Sequence, residues 1–335
     1  MDLGRYTKQM LFKEIGLKGQ RKISNSTVCL VGIGATGSSI ASNLVRAGIK
    51  KLIIIDRDYV ELDNLARQNL FDEEDIAKNL PKAIAATEKL KKINSGVEIV
   101  NFVSDLNYKN IDSMVKDVDL IFDGTDNFYT RFLINDFSIK NQIPWIHTGV
   151  LGSHGQCFGI IPQKTACFSC LIEDLPDPGS LDTCDTAGIL GVTVNALASF
   201  STLIGLKILL GKYRQQEIIT MDLWNNTFDK IIFDKNPNCL TCKEQDFRYL
   251  NGHGSLDGIC LCGRNAVHIN GRGSIDLAKI NKSLSQIHKA QINEYMLRFL
   301  TEKYDITIFS DGRAIIKGTS DLELAKSIYT KYIAL

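Results

Sequence analysis

The chain has 335 residues, 44% hydrophobic and 23% charged, with 39 basic and 38 acidic side chains for a net charge of +1. The composition supports a sizeable core and excludes a disordered or collagen-like chain. The charge balance argues against bulk nucleic-acid binding, and the length fits one large domain plus a smaller one.

In chain order, a polar helical opening leads to a strand over Thr27–Val31 and then Gly32-Ile-Gly34-Ala35-Thr-Gly37. A helical pattern follows through Ala47, with Gly48 as its C-cap. Lys51–Ile55 reads as a second apolar strand. Pro81 opens a helix to about Ile93, and Val97–Phe102, Val118–Phe122 and Ile143–His147 read as further strands. Gly155–Pro162 reads as an antiparallel strand. Ala187–Leu206 carries no charge along its whole length, but its Thr, Asn and Ser content points to a core or interface helix rather than a membrane span. Ile218–Leu223 and Phe228–Phe233 flank Trp224-Asn-Asn226 as a hairpin. Past a glycine-rich stretch, helices are expected at 275–284, 294–303 and 321–332, with a hairpin over Ile306–Lys317. The expectation is an α/β fold: a Rossmann-like, mostly parallel sheet with an antiparallel extension, plus a small C-terminal α+β domain. The expected division is 1–245, a linker at 246–258, and an accessory domain at 259–335 with a docking or regulatory role.

The glycine turn follows a strand and opens a helix, and Asp56 ends the strand after that helix. That layout offers backbone amides to a phosphate and an acid to a ribose, without separating NAD, FAD and ATP. Asp58, Asp63, Asn64, Leu65, Ala66, Arg67 and Gln68 follow the second strand. Arginine there suits a triphosphate, whose oxygens its paired N–H donors clamp. Lys82 in the first turn of a helix opposes the dipole unless an anion lies near. Asp126 and Asn127 lie just past the Val118 strand, where such sheets bind ligands, and Asp126 is a candidate Mg²⁺ ligand.

These pieces, with Arg5-Tyr-Thr-Lys8-Gln9, two Cys-x-x-Cys pairs and Thr183-Cys184-Asp-Thr-Ala-Gly188, resemble in order the MoeB/ThiF adenylyltransferases, relatives of ubiquitin-activating enzymes. The resemblance implies adenylylation of the C-terminal glycine of a ubiquitin-like sulfur carrier of ThiS or MoaD type, ending in Gly-Gly, for thiamine, molybdenum-cofactor or tRNA-thiolation pathways. It implies that Asp56 binds the ribose, Asn64 and Arg67 the phosphates, that Lys82 stabilises developing charge and that Asp126 binds Mg²⁺. It also implies a homodimer, and a sulfurtransferase or cysteine desulfurase as a further partner. The family usually has Arg where Lys8 stands, reaching the partner subunit's ATP, and often glycine where Ala35 stands. The alternatives are a relative adenylating a small molecule or a tRNA modification, and an NAD-dependent oxidoreductase, which leaves Arg67 and Lys82 without a shared purpose.

Nine cysteines, an odd number, do not read as a secreted disulfide framework, and the Met1–Tyr6 opening has no leader pattern, so a cytoplasmic protein is expected. Cys167 with Cys170 and Cys239 with Cys242 form two knuckles well separated in the chain, the pattern of a four-thiolate structural zinc site. Cys184 precedes the uncharged helix, where a thiol becomes a better nucleophile. By resemblance it forms a covalent bond with the carrier. Cys29, Cys157, His147 and His154 are expected to be packed, and Cys260 and Cys262 to lie at a domain edge.

Overall fold

A computed structural model describes residues 3–177, 180, 182–254, 258–261, 265–271, 273–284 and 290–333. The chain divides into two units, Met1–Gly254 and Ser255–Leu335.

The first unit opens with a turn at Gly4–Tyr6 and two short helices, α1 (Thr7–Leu11) and α2 (Gly16–Ile23). Then come β1 (Thr27–Val31), α3 (Ala35–Ala47), β2 (Lys51–Asp56), α4 (Glu73–Ala77), α5 (Lys82–Ile93), β3 (Glu98–Val103), α6 (Ile111–Met114), β4 (Leu120–Asp123) and α7 (Phe128–Asn141). The remainder is β5 (Trp145–Leu151), β6 (His154–Ile160), α8 (Phe168–Leu171), α9 (Cys184–Ala187), α10 (Gly191–Leu209), β7 (Ile218–Asp222) and β8 (Thr227–Ile231). One eight-stranded sheet results, ordered β3-β2-β1-β4-β5-β6-β7-β8. β1 to β5 run parallel, and β6 to β8 extend the sheet antiparallel from β5.

Both sheet faces are covered, which is why β1 and β2 read as unbroken apolar runs. Val28 and Leu30 join the apolar cluster that includes residues of α3, α5 and α10. Their neighbours Cys29 and Val31 join the opposite one, with α7. Helix α10 is long and apolar enough to cross a membrane by length and composition alone, with 44% of its most apolar window buried. One face packs on the sheet through Leu197, Ile204 and Gly205, where a Cβ at Gly205 would lie 2.3 Å from Phe122 Cζ. Its other face leaves Val192 and Leu203 exposed.

The second unit holds β9 (Gly258–Leu261), β10 (Ala266–Ile269), α11 (Leu277–Leu284), β11 (Ala290–Ile292), β12 (Met296–Leu300), β13 (Asp305–Phe309), β14 (Ala314–Lys317) and α12 (Leu322–Ile333). Its sheet is ordered β11-β12-β13-β14-β10-β9.

Three expectations are corrected. Residues 294–303 are not helical: β12 pairs with β13, and Met296, Leu297 and Phe299 are all buried. Leu297 and Phe299 face the core, but Met296 and Leu300 are also apolar on the opposite face, so the segment does not alternate as a strand should. Residues 246–254 belong to the first unit, where Tyr249 is buried and donates its N–H to Asp136 at 2.8 Å. His154 is 72% exposed and pairs with Asp222 rather than packing. Cys29 and Cys157 are buried, as expected. Cys262 and the side chain of Cys260 lie outside the described residues.

Candidate active site

The turn between β1 and α3 is built by glycines pressed against the end of β4. Gly32 has φ +84°, and a Cβ there would lie 2.7 Å from the Gly124 carbonyl. A Cβ on Gly37 would lie 2.0 Å from Gly32 O. Gly34 N-caps α3 without a side-chain cap, and Gly34 and Ala35 stay partly exposed. The first-turn amides therefore face open space at a positive helix end, an anion seat.

Asp56, at the end of β2, holds this turn. Its two oxygens accept the amides of Ile33 and Asp58, each at 2.7 Å. Burial pushes its carboxyl up, and Lys82 opposes the shift. Lys82 Nζ lies 3.2 Å from Asp58 Oδ2 with its side chain only 6% exposed. Arg57, which sequence reasoning left aside, bridges Asp58 and Asp105 at 3.9 and 3.1 Å.

The segment after β2 also folds onto the turn. Asn64 is buried, caps Glu61 N and donates to Asp63. Arg67 is half-buried and donates Nη1 to Asp63 O at 2.6 Å. Gln68 is buried, its Nε2 3.9 Å from where a Gly34 Cβ would sit, and its Oε1 has no hydrogen-bond partner among the described residues. Such an orphaned oxygen beside an open helix end fits a donor-bearing ligand. Leu65 packs on the core, and the Ala66 carbonyl abuts Gly191 at the start of α10. Both support the segment from behind.

Asp126 is exposed just past β4. Asn127 accepts the Thr130 N–H at 2.9 Å and so caps α7. Beneath Asp126 lies a buried network that sequence reasoning missed. Asp123 accepts Arg131 Nε at 3.0 Å and lies 3.4 Å from His147 Nδ1. Burial raises the Asp123 carboxyl, but Arg131 and His147 outweigh it and hold it below the usual range. Burial lowers the His147 pKa. Arg131 also donates to the carbonyls of Thr125 and Thr148 at 2.8 and 3.4 Å. The signal was present in the sequence as Arg131 one helical turn into α7, but nothing in its spacing revealed Asp123 as its partner.

Lys8 is not brought to this site. It is exposed on α1, in a segment tied to the far ends of α3 and α5. Gln9 donates to Ala47 O, Arg5 to Ile93 O, and Asn94 to Tyr6 OH. Gly48 has φ +80° and a Cβ there would lie 2.2 Å from Tyr6 Cζ, so bare glycine both caps α3 and seats Tyr6. The 13 residues of α3 separate this segment from the glycine turn by ~20 Å.

The four knuckle sulfurs lie within 4.8 Å of one another. Cys167–Cys239 and Cys170–Cys242 are each 3.5 Å, and Cys167–Cys170 is 3.9 Å. Tetrahedral zinc with bonds near ~2.3 Å needs sulfurs about 3.8 Å apart, so the set fits the ion. Asn135 Nδ2 at 3.6 Å from Cys167 Sγ and Cys242 N at 3.5 Å from Cys239 Sγ support the thiolates from outside. Cys184 starts α9, half-buried, with Sγ 3.2 Å from Val150 O on β5.

A model of the ThiF family matches residues 6–241. The chain is 39% identical over 337 aligned residues to the sulfur carrier protein ThiS adenylyltransferase of Bacillus subtilis, covering 98% of this chain and 99% of that one. It is 30% identical to the SAMP-activating enzyme E1 of Haloferax volcanii, covering 72% of this chain and 89% of that one. Among solved structures, Escherichia coli MccB with MccA-N7isoASN superposes with a TM-score of 0.63 at 22% identity, over 72% of this chain and 75% of that chain, a likeness of fold. The alignment along nearly the full length, on a sheet with this glycine turn, places the chain in the ThiF family of adenylyltransferases.

Proposed function

We propose that the protein adenylylates the C-terminal glycine of a ubiquitin-like sulfur carrier ending in Gly-Gly, of ThiS or MoaD type. A carboxylate oxygen of the carrier forms a bond to the α-phosphorus of ATP, the bond to the bridging oxygen breaks, and pyrophosphate leaves. The observation that carries this reading is the convergence of Asp56, Gln68 and the Asp58–Lys82 pair on the Gly32–Gly37 turn. The near full-length likeness to an enzyme named for ThiS supports the substrate.

In this reading α3's first-turn amides seat phosphate, and Asp56 keeps the turn rigid while facing the ribose. Lys82 is the desolvated cation beside the reacting phosphate, and Arg67 swings from Asp63 O to clamp oxygens. Charge that develops on those oxygens meets donors already in place, the main source of rate in phosphoryl chemistry. Asp126, a hard oxygen ligand at the strand end, would hold Mg²⁺, which neutralises phosphate charge when bound. The Cys₄ set would hold zinc structurally, since four thiolates leave no open position.

We further propose a homodimer in which Lys8 serves the partner's nucleotide, because it is remote from its own. The exposed Val192, Leu203, Leu11, Phe12 and Leu17 support such an interface. A cytoplasmic location is supported by the seven described cysteines forming no disulfide. A sulfurtransferase or cysteine desulfurase would supply the sulfur. The test is ATP–pyrophosphate exchange with purified carriers ending in Gly-Gly. Exchange with at least one is expected, and no exchange with any, alongside tight NAD binding, overturns the reading.

A further inference from the structure

Arg67 and Gln68 belong to no helix or strand. Their amides both donate to Asn64 O, at 3.1 and 2.9 Å, and Leu70 and Phe71 anchor in the core beyond them. A clamp on a chain of turns holds its geometry only if neighbouring side chains lock it. Asn69, the next residue, carries such a lock. Its Nδ2 donates to Asn195 Oδ1 on α10 at 3.0 Å. Ser39, one turn into α3, donates Oγ to the same oxygen at 2.7 Å and lies 3.2 Å from Asn69 Oδ1. Ser38 Oγ lies 3.4 Å from that Asn69 oxygen and donates to Ala35 O at 3.0 Å, as serines inside helices commonly do. The bonds of Ser39 run instead to the two asparagines.

The three side chains join three pieces of the nucleotide seat. These are α3 with its first-turn amides, the turn carrying Arg67 and Gln68, and the start of α10. The backbone closes at the same place, since a Cβ on Gly191 would lie 2.7 Å from Ala66 O and 3.5 Å from Arg67 Cα. Ser39 is only 5% exposed and needs a partner for its hydroxyl, whereas Asn69 and Asn195 are both exposed. Exposed amides can bond water, and ordering them costs side-chain entropy. The bonds between them therefore add little stability, and their effect is on placement.

We propose that Ser39, Asn69 and Asn195 are positioning residues for Arg67 and Gln68. This rests on the adenylylation reading above. The three fix the distance between the guanidinium and the amides of α3, with α10 as the rigid member. Arg67 then leaves Asp63 O for oxygens already seated at the helix end. Asn195 acts only as an acceptor: both bonds run to Oδ1, and its Nδ2 has no partner among the described residues. A carboxylate in its place accepts the same two bonds, so Asn195→Asp keeps the tie and Asn195→Ala removes it.

ATP–pyrophosphate exchange with a carrier ending in Gly-Gly, and the calorimetric Kd for ATP, test this on the full-length chain. Asn69→Ala and Asn195→Ala should each lower exchange roughly tenfold and weaken ATP about threefold while Arg67 is present. In an Arg67→Ala background the same changes should cost less than about twofold, because the residue they position is gone. Asn195→Asp should stay within about twofold of wild type, and Tm should fall by less than about 3 °C throughout. Equal losses in both backgrounds, or a loss in Asn195→Asp as large as in Asn195→Ala, overturn the tie and leave the adenylylation reading standing. Val192 and Leu203 are exposed on the same helix, so a loss that follows a changed mass by light scattering overturns it too. The expected pattern in ATP Kd, with no exchange on any carrier, keeps the tie and retires the adenylylation reading. A wild type that binds no ATP overturns both.

Discussion

Lys82 is almost wholly desolvated and already paired with Asp58, so its charge is in place before any nucleotide arrives. Lys82→Ala should therefore reduce ATP–pyrophosphate exchange by roughly 10²–10³-fold, and it should also lower Tm, because Asp58 and buried Asp56 lose their counter-charge. Arg67→Ala should reduce exchange similarly with little change in Tm, because among the described residues its guanidinium bonds to the Asp63 carbonyl, a contact that it can exchange for phosphate. Exchange surviving in both variants would remove the phosphate clamp from these residues. Cys184 donates its thiol to Val150 O on β5. Cys184→Ser should keep exchange near wild type, while mass spectrometry with carrier and sulfur donor shows no covalent carrier adduct. An adduct that persists would place the nucleophile on another thiol.

At the scale of elements, α7 ties the sheet to the stretch that follows the second cysteine knuckle. Its Asp136 accepts Tyr249 N and Thr241 Oγ1, and burial lifts that carboxyl to about 6. A group raised in the folded state contributes its full stability below the unfolded value near ~4, and the contribution is lost as pH climbs through the folded value. Stability should thus fall as pH rises from the unfolded value through about 6, and Asp136→Asn should flatten that difference in thermal melts. A second expectation concerns the staple: wild type should hold about one zinc per chain by atomic absorption. Cys239→Ser should lose it and melt several degrees lower. The elements carrying these features were largely legible in the sequence. The strand-turn-helix of β1 and α3, the Gly48 cap and the knuckles are local patterns that tertiary contacts only reinforce. The Asp123–Arg131–His147 network was not legible, because it joins three elements through side chains whose partners only the fold chooses. Strand β12 does not alternate in sequence because Met296 and Leu300 are apolar on the face opposite Leu297 and Phe299, which hides the period that identifies a strand. How Asn127 is used also escaped, since a cap and a ligand ask for the same residue type.

For the whole molecule, the separation of Lys8 from its own nucleotide seat makes complementation decisive. Mixing Lys8→Ala with Lys82→Ala chains should restore exchange, because one site of the mixed dimer then has both lysines. Action within one chain would give no restoration. The proposed zinc staple has a consequence in time as well as in space. Its knuckles are separated by the whole stretch from Cys170 to Cys239. At a synthesis rate of ~5–20 residues per second, the second pair leaves the ribosome roughly 3–14 s after the first. During that interval the strands from β1 to β6 are already made, and Cys167 and Cys170 wait as a lone dithiol. A nascent chain is therefore most vulnerable to oxidants and to misplaced metal at this site in those seconds, before the second knuckle completes the four-sulfur set.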